Sequence, residues 1–246
     1  MNADWQHWVT ENLERKCNRF DMLRQMTTEG IPPAEAEQAL GLPSMPRLPH
    51  SLSLQNDQIR LFSISRFLTP EQCGELCFVI AQKRRPSEVA EGGKEGDRTS
   101  TTCDMYLGQH DIVDEVDALI CQRMGFLPTE CEVMQGQHYE VGQHFLGHCD
   151  YFVRPETDAA HATRGGRTWT FMVYLTAVEE GGETEFTKLG LKFRPEPGLA
   201  LVWCNLDGHG QHNPLTEHRA HPVIRGTKMI LTKWFREIPA PVYGLQ

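Results

Sequence analysis

The feature that most constrains this chain is a change of periodicity after Thr129. From there on, short runs rich in Val, Thr, Trp, Tyr and Phe are separated by Gly, Pro, Asn and Asp: TWTFMVYLTAV from Thr168, EEGGETEF from Glu179, PGLALVWCN from Pro197 and GTKMILTKWF from Gly226. β-Branched and aromatic residues suit a pleated surface, and Gly or Pro interrupts it. A parallel sheet needs a long crossover, usually a helix, between successive strands, and no such helical period intervenes here. The pattern therefore predicts an antiparallel sandwich or barrel.

The first half reads differently. Trp5, Trp8, Leu13, Phe20, Leu23 and Met26 recur at helical spacing, which predicts one helix to about Met26, and a second is expected over Pro33 to Leu40, with Gly41 behind it. Together they read as a helical hairpin, an N-terminal helical segment over 1–45. Pro43 to Asn56 carries three Pro and three Ser and reads as a linker, which leaves one main domain over 57–238. Thr69-Pro70-Glu71-Gln72 is a helix start with an N-cap, a Pro at the first position and a Gln placed to cap in return. A further helix is expected across Ile112 to Met124, and the polar stretch 84–98 is expected to be a mobile surface loop.

Charge and cysteine usage narrow the partners. With 24 Lys and Arg against 33 Asp and Glu, the net charge is −9, and no basic tract could neutralise a run of phosphates, so neither nucleic acid nor an anionic membrane is expected to bind. Cys17, Cys73, Cys77, Cys103, Cys121, Cys131, Cys149 and Cys204 form no C-x-x-C pair, and the first residues lack an apolar signal core. Both point to a reduced, cytoplasmic protein. No apolar run is long enough to span a membrane.

His148-Cys149-Asp150 is an H-x-D on an expected strand, where side chains two apart share a face and can converge on one ion, with Cys149 pointing away. His218 leads into a later strand and offers a third ligand; His221 is a rival and the less favoured. Two imidazoles and a carboxylate leave adjacent positions open, as Fe(II) chemistry with an organic cosubstrate and O₂ requires, although three such ligands also suit zinc. Strand parity adds a cation, since Lys228, Ile230, Thr232 and Trp234 share one face of KMILTKWF. Thr170, Met172 and Tyr174 share one face of TWTFMVYLT. A lysine beside Thr and Tyr hydroxyls can receive a carboxylate.

The run from Tyr139 through Gly142 and Phe145 to His148 and Asp150 resembles the Y-x-x-G-x-x-[FY]-x-x-H-x-D of Fe(II)- and 2-oxoglutarate-dependent oxygenases, specifically the prolyl 4-hydroxylase alpha-subunit group. Further matches follow in order: Arg98-Thr99-Ser100 ahead of it, Glu132 with Gln135, Gly166-Arg167, Gly181 to Phe186, Pro197-Gly198, Asn205, His218 with Pro222-Val223, Gly226-Thr227-Lys228, and Thr232-Lys233-Trp234. The resemblance spans about 60–237.

It implies a mainly β protein with flanking helices (α+β), built on a double-stranded β-helix or jelly roll. It implies that His148, Asp150 and His218 bind Fe(II), and that Lys228 pairs with the distal carboxylate of 2-oxoglutarate with help from Tyr174 and Thr170, beside Tyr139. By the same resemblance Arg98, Glu132, Arg167 and Trp234 face the substrate. Arg236 departs from the family, which often has His there.

The implied reaction consumes 2-oxoglutarate and O₂, releases succinate and CO₂, and hydroxylates an unactivated C–H bond. The favoured substrate is a proline within a protein or peptide; a free amino acid or small metabolite is the alternative. A non-catalytic protein that binds iron, 2-oxoglutarate or a partner is the third reading. Pairing of two chains through the N-terminal segment and an ascorbate requirement are left open.

Overall fold

The computed structural model describes residues 1–42, 53–88, 94, 96–152 and 160–238. In chain order the helices are α1 (Ala3–Glu14), α2 (Arg19–Thr28), α3 (Pro33–Leu40), α4 (Pro70–Gln82), α5 (Asp111–Met124) and the single turn α6 (His161–Arg164). The strands before α6 are β1 (Ser53–Asn56), β2 (Leu61–Ile64), β3 (Arg85–Pro86), β4 (Thr101–Met105), β5 (Met134–Tyr139) and β6 (Phe145–His148). After it come β7 (Arg167–Tyr174), β8 (Val178–Gly181), β9 (Thr184–Phe186), β10 (Leu191–Phe193), β11 (Ala200–Cys204), β12 (His218–Ala220), β13 (Val223–Gly226) and β14 (Lys228–Arg236).

An eight-stranded sheet runs β1-β2-β11-β7-β14-β5-β4-β3, a four-stranded sheet runs β10-β9-β12-β6, and β13 pairs with β8. Every pairing between these strands is antiparallel. The two larger sheets fold over one another as a jelly roll, and α4 and α5 cover the outer face of the larger one.

Strand parity divides the core. Trp169, Phe171 and Val173 of β7 and Leu231 and Phe235 of β14 pack with Leu76 and Ile80 of α4 and Val116 and Ile120 of α5. Met172 and Tyr174, with Ile230, face the other way against Tyr139, Phe186, Leu201 and Trp203. Each large apolar side chain removed from water contributes about 1.5–3 kcal/mol, so a one-residue slip of either strand would forfeit several such terms at once. Helix α4 lies tightly on the sheet because Gly136 of β5 leaves room for Ile80; a methyl group there would collide with its side chain.

Helix α4 starts as the sequence predicts. The Thr69 hydroxyl accepts from the Gln72 amide at 3.2 Å and the Gln72 carboxamide oxygen accepts from the Thr69 amide at 2.9 Å. Helix α5 covers the expected span and begins one residue earlier.

The N-terminal segment differs from the expected hairpin. The expected helix to Met26 is broken into α1 and α2, because Lys16 takes a left-handed φ of 58° and the Asn18 side chain then caps α2 by accepting from the Asp21 amide at 3.2 Å. Val9, Met22, Met26, Ala36, Leu40 and Leu42 form a separate small core for the three helices. Glu37 of α3 pairs with Arg60 at 3.5 Å, both buried, and so joins this segment to the larger sheet's side of the molecule.

The expected linker at 43–56 lies outside the described residues as far as 52, and its last four residues form β1. The expected loop at 84–98 contains β3, paired with β4; residues 89–93 and 95 lie outside the described residues. The run EEGGETEF splits between two sheets, because Gly181 and Gly182 both take positive φ, 77° and 72°, and turn the chain.

Candidate active site

His148 is the last residue of β6 and His218 the first of β12, and the two are direct partners in the antiparallel ladder. Their rings lie 4.3 Å apart between centroids. Asp150 follows just beyond the end of β6, with its carboxylate 3.8 Å from His148 Nε2. One ligand atom from each of the three lies within 4.8 Å of the others.

The hydrogen bonds around this cluster decide what it can hold. His148 Nδ1 lies 2.9 Å from the Leu146 carbonyl and His218 Nδ1 lies 3.0 Å from the Thr216 carbonyl. A carbonyl only accepts, so each Nδ1 carries a proton, and Nε2 is the nitrogen each ring has to offer a metal. Burial, and then the neighbouring His218, brings the His148 pKa down to about 3, so that ring is neutral as a metal ligand must be.

Thr170 donates its hydroxyl to Asp150 Oδ2 at 2.7 Å and accepts from Asn205 Nδ2 at 3.0 Å, which aims the other carboxylate oxygen at the histidines. Burial opposes ionisation of Asp150, but Arg167 and the Thr170 bond favour the carboxylate, and its pKa lies below the ordinary value. Two imidazoles, each turned to offer Nε2, and one carboxylate fit a divalent ion of the Fe(II) type, with positions left over for a cosubstrate and O₂.

A cavity of about 750 Å³ extends to both sides of the cluster. At its closed end Lys228 is fully buried, with Nζ 3.4 Å from the Thr184 hydroxyl and 5.2 and 5.6 Å from the Tyr139 and Tyr174 ring centres. Burial lowers the Lys228 pKa to about 7, with Glu183 opposing. Such a side chain is a receptor for an anion rather than a solvated lysine.

Thr170 is therefore not beside Lys228, where the sequence placed it. Parity puts it on the correct face of β7, but it pairs across with Trp234, whereas Tyr174 pairs with Ile230. Four residues of strand separate their Cα atoms by roughly 13 Å. Thr184, in a quoted motif but without an assigned role, stands where Thr170 was expected.

At the other end, Glu132 accepts a two-pronged bond from Arg167, at 2.6 and 2.7 Å, and a third bond from Arg236 Nε at 2.6 Å. Burial raises the Glu132 pKa, but the two guanidiniums overcome it and hold the carboxylate ionised. Arg167 also donates to the Asp150 carbonyl at 3.2 Å and lies 4.0 Å from the centre of the Trp234 ring. The pair is thus a buried scaffold that fixes a cation–π wall of the cavity. Arg98 lies over the Phe145 ring at 4.9 Å and donates to Thr102 and to the Glu88 carbonyl.

Arg98, Arg167 and Trp234 line the cavity, with Glu132 supporting Arg167. His221 is outside the cluster and bonds Glu185 at 2.7 Å. Cys149 is among the residues lining the cavity, and it follows the end of β6 at His148, where strand parity no longer governs. Gln137, Tyr151 and Phe152 also line it and carried no motif signal.

A jelly roll with two histidines and a carboxylate at one end of its smaller sheet, and a buried lysine deeper in the same cavity, defines a 2-oxoglutarate-dependent iron dioxygenase. The family model for the 2OG-Fe(II) oxygenase superfamily matches residues 134–236. Probable prolyl 4-hydroxylase 8 of Arabidopsis thaliana is 32% identical over 201 residues, covering 72% of this chain and 68% of the plant protein. Prolyl 4-hydroxylase subunit alpha-2 of Gallus gallus is 36% identical over 128 residues, covering 50% of this chain and 24% of that one. Among solved structures, the viral collagen prolyl hydroxylase vCPH of Paramecium Bursaria Chlorella virus-1, in its 2OG complex, superposes with a TM-score of 0.60 at 25% identity, over 75% of this chain and 99% of that one. The chain belongs to the prolyl 4-hydroxylase family of the 2OG-Fe(II) oxygenases.

Proposed function

We propose that this enzyme hydroxylates proline within a protein or peptide chain, with His148, Asp150 and His218 as the iron ligands and Lys228 as the anchor of 2-oxoglutarate. The observation that carries the substrate class is the course of the cavity, from the fully buried Lys228 past the three ligands to Arg85 and Glu88, which are exposed. A cavity of about 750 Å³ holds far more than a five-carbon dicarboxylate.

Ferrous iron at the three ligands supplies the activation of O₂ and the oxidising power for the C–H bond. The protein's residues do the placing. Leu146 and Thr216 carbonyls fix the tautomers of the two histidines, and Thr170 and Asn205 fix Asp150. Lys228 and Thr184 take the far carboxylate of the cosubstrate, with the Tyr139 and Tyr174 rings packed around it. Trp234, with the Arg167 guanidinium over its ring and Glu132 holding that arginine, forms the wall of the cavity at the substrate's end. The resemblance to proteins named prolyl 4-hydroxylases supports the same reading.

The test is incubation of the iron-loaded protein with 2-oxoglutarate, O₂ and synthetic proline-rich peptides, against free L-proline, with succinate measured and peptides mapped by mass spectrometry. Succinate release coupled to a 16 Da gain on proline in a peptide is expected. Coupled turnover with a small metabolite and with no peptide would overturn the substrate class.

A further inference from the structure

Gln137 occupies the middle of β5, two residues from Tyr139 on the cavity face and opposite Ile230 of β14. It is 5% exposed and lines the cavity between the Lys228 end and the Trp234 end. A carboxamide buried there has acceptor and donor sites to satisfy. Its Oε1 accepts the Tyr139 hydroxyl at 2.8 Å, while its Nε2 reaches the Thr232 hydroxyl only at 3.4 Å.

Burial raises the Tyr139 pKa, with Arg98 and Ser100 opposing, so the phenol is neutral and has a single proton to give. Arg98 has no lone pair to receive it. The Ser100 hydroxyl beside it is already engaged with Arg98 and Ser87, and the acceptor the phenol reaches is Gln137 Oε1 at 2.8 Å. Tyr139 pairs in register with Lys228, so both side chains stand on one face of the sheet, and the lysine nitrogen is 5.2 Å from the phenol ring centre. A carboxylate arriving at Lys228 comes against the Tyr139 ring, and any bond it takes from that phenol needs the proton now given to Gln137.

We propose that Gln137 is a positioning residue that weakens 2-oxoglutarate binding by holding the Tyr139 hydroxyl proton away from the cosubstrate. Either the Tyr139–Gln137 bond breaks when 2-oxoglutarate enters, and its loss offsets part of the new contact, or it persists and the new contact is not made. Both routes lead to the same sign. Removing the Gln137 acceptor strengthens binding. The inference rests on the reading of the Lys228 end as the cosubstrate's.

The experiment is calorimetric titration of 2-oxoglutarate into the full-length, Mn(II)-loaded protein and its variants. Gln137→Met, which keeps length and removes the acceptor, is expected to tighten binding by about 2- to 10-fold, the range of one net hydrogen bond. Gln137→Glu, a stronger acceptor that adds negative charge, is expected to weaken it. In a Tyr139→Phe background Gln137→Met is expected to have no effect. Structural damage alone does not produce a gain in affinity, so the sign separates a positioning role from a packing role.

Unchanged or weaker binding by Gln137→Met overturns the proposal, as does an equal gain with and without the Tyr139 hydroxyl. Gln137→Leu replaces Gln137→Met under the same criteria should the latter not fold. Lys228→Met tells the two levels apart. If it leaves binding intact, the location of the cosubstrate is wrong; if it weakens binding while Gln137→Met changes nothing, only the role of Gln137 is wrong.

Discussion

Replacing Lys228 by Met tests the cosubstrate anchor most directly. Met is unbranched and close in length, so it fills the same buried channel between Tyr139, Tyr174 and Thr184 and removes only the charge. A hydrogen bond to a charged group contributes about 1.5–3 kcal/mol, and each tenfold corresponds to about 1.4 kcal/mol, so the KM for 2-oxoglutarate is expected to rise about 10- to 150-fold.

The magnitude depends on pH with a definite sign. The Lys228 pKa is lowered by burial to about 7, so the charged form is present below that value and is lost as pH rises through it. Wild-type affinity is therefore expected to fall from pH 6.5 towards pH 8.5, while the Met variant stays flat and the ratio between them narrows. Between about 7 and the ordinary lysine value the unfolded chain binds the extra proton, so the cosubstrate-free wild type gains stability as pH rises across that window. At pH 7 the Met variant is expected to unfold no earlier than wild type. Initial rates of succinate formation at several pH values, alongside thermal melts, supply both measurements. A KM at pH 7 within threefold of wild type in a well-folded variant would refute the reasoning.

Asp150→Ala and His218→Ala each remove one of three ligands, and both are expected to abolish 2-oxoglutarate consumption with and without a peptide and to lose the visible spectrum of bound Co(II). Thr170→Val keeps the shape but strips Asp150 of its donor; Co(II) affinity is expected to fall about 10- to 100-fold, read by titration, and unchanged affinity would show that Thr170 does not orient the carboxylate. Gly198→Ala forces a side chain onto a residue at φ 79° and against the Leu68 carbonyl, so a loss on the order of 3 kcal/mol and a Tm lower by about 5–10 °C are expected.

Much of the site was legible because a strand's side chains alternate. Two-residue spacing alone placed Lys228, Ile230, Thr232 and Trp234 along one wall of the cavity, and the structure puts all four there. Alternation says nothing about depth, however. It could not show that Thr170 and Tyr174 serve opposite ends of β7, because that depends on which residues of β14 they face. Nor could it show that His148 and His218, seventy positions apart, are ladder partners, a fact set by long-range pairing. The break between α1 and α2 had a local signal in Asn18, a good capping residue, which the apolar spacing from Trp5 to Met26 overrode. Arg236 stood out only as a departure from a pattern; its hold on Glu132 required the fold to bring the two together.

The placement of β6 has a mechanical side. It is the outermost strand of the smaller sheet, paired within that sheet to β12 alone, and the last residue of that pairing is a histidine facing another histidine. The strand's other edge is tied to the segment 97–99, through Leu146 N to the Asp97 carbonyl at 2.8 Å and Thr99 N to the His144 carbonyl at 3.0 Å, and a cation clamped between the two histidines would add a tie on the β12 side. Loading the centre and closing the rim of the barrel would then be one event, and the sheet's margin would be tightest when the enzyme is ready to work.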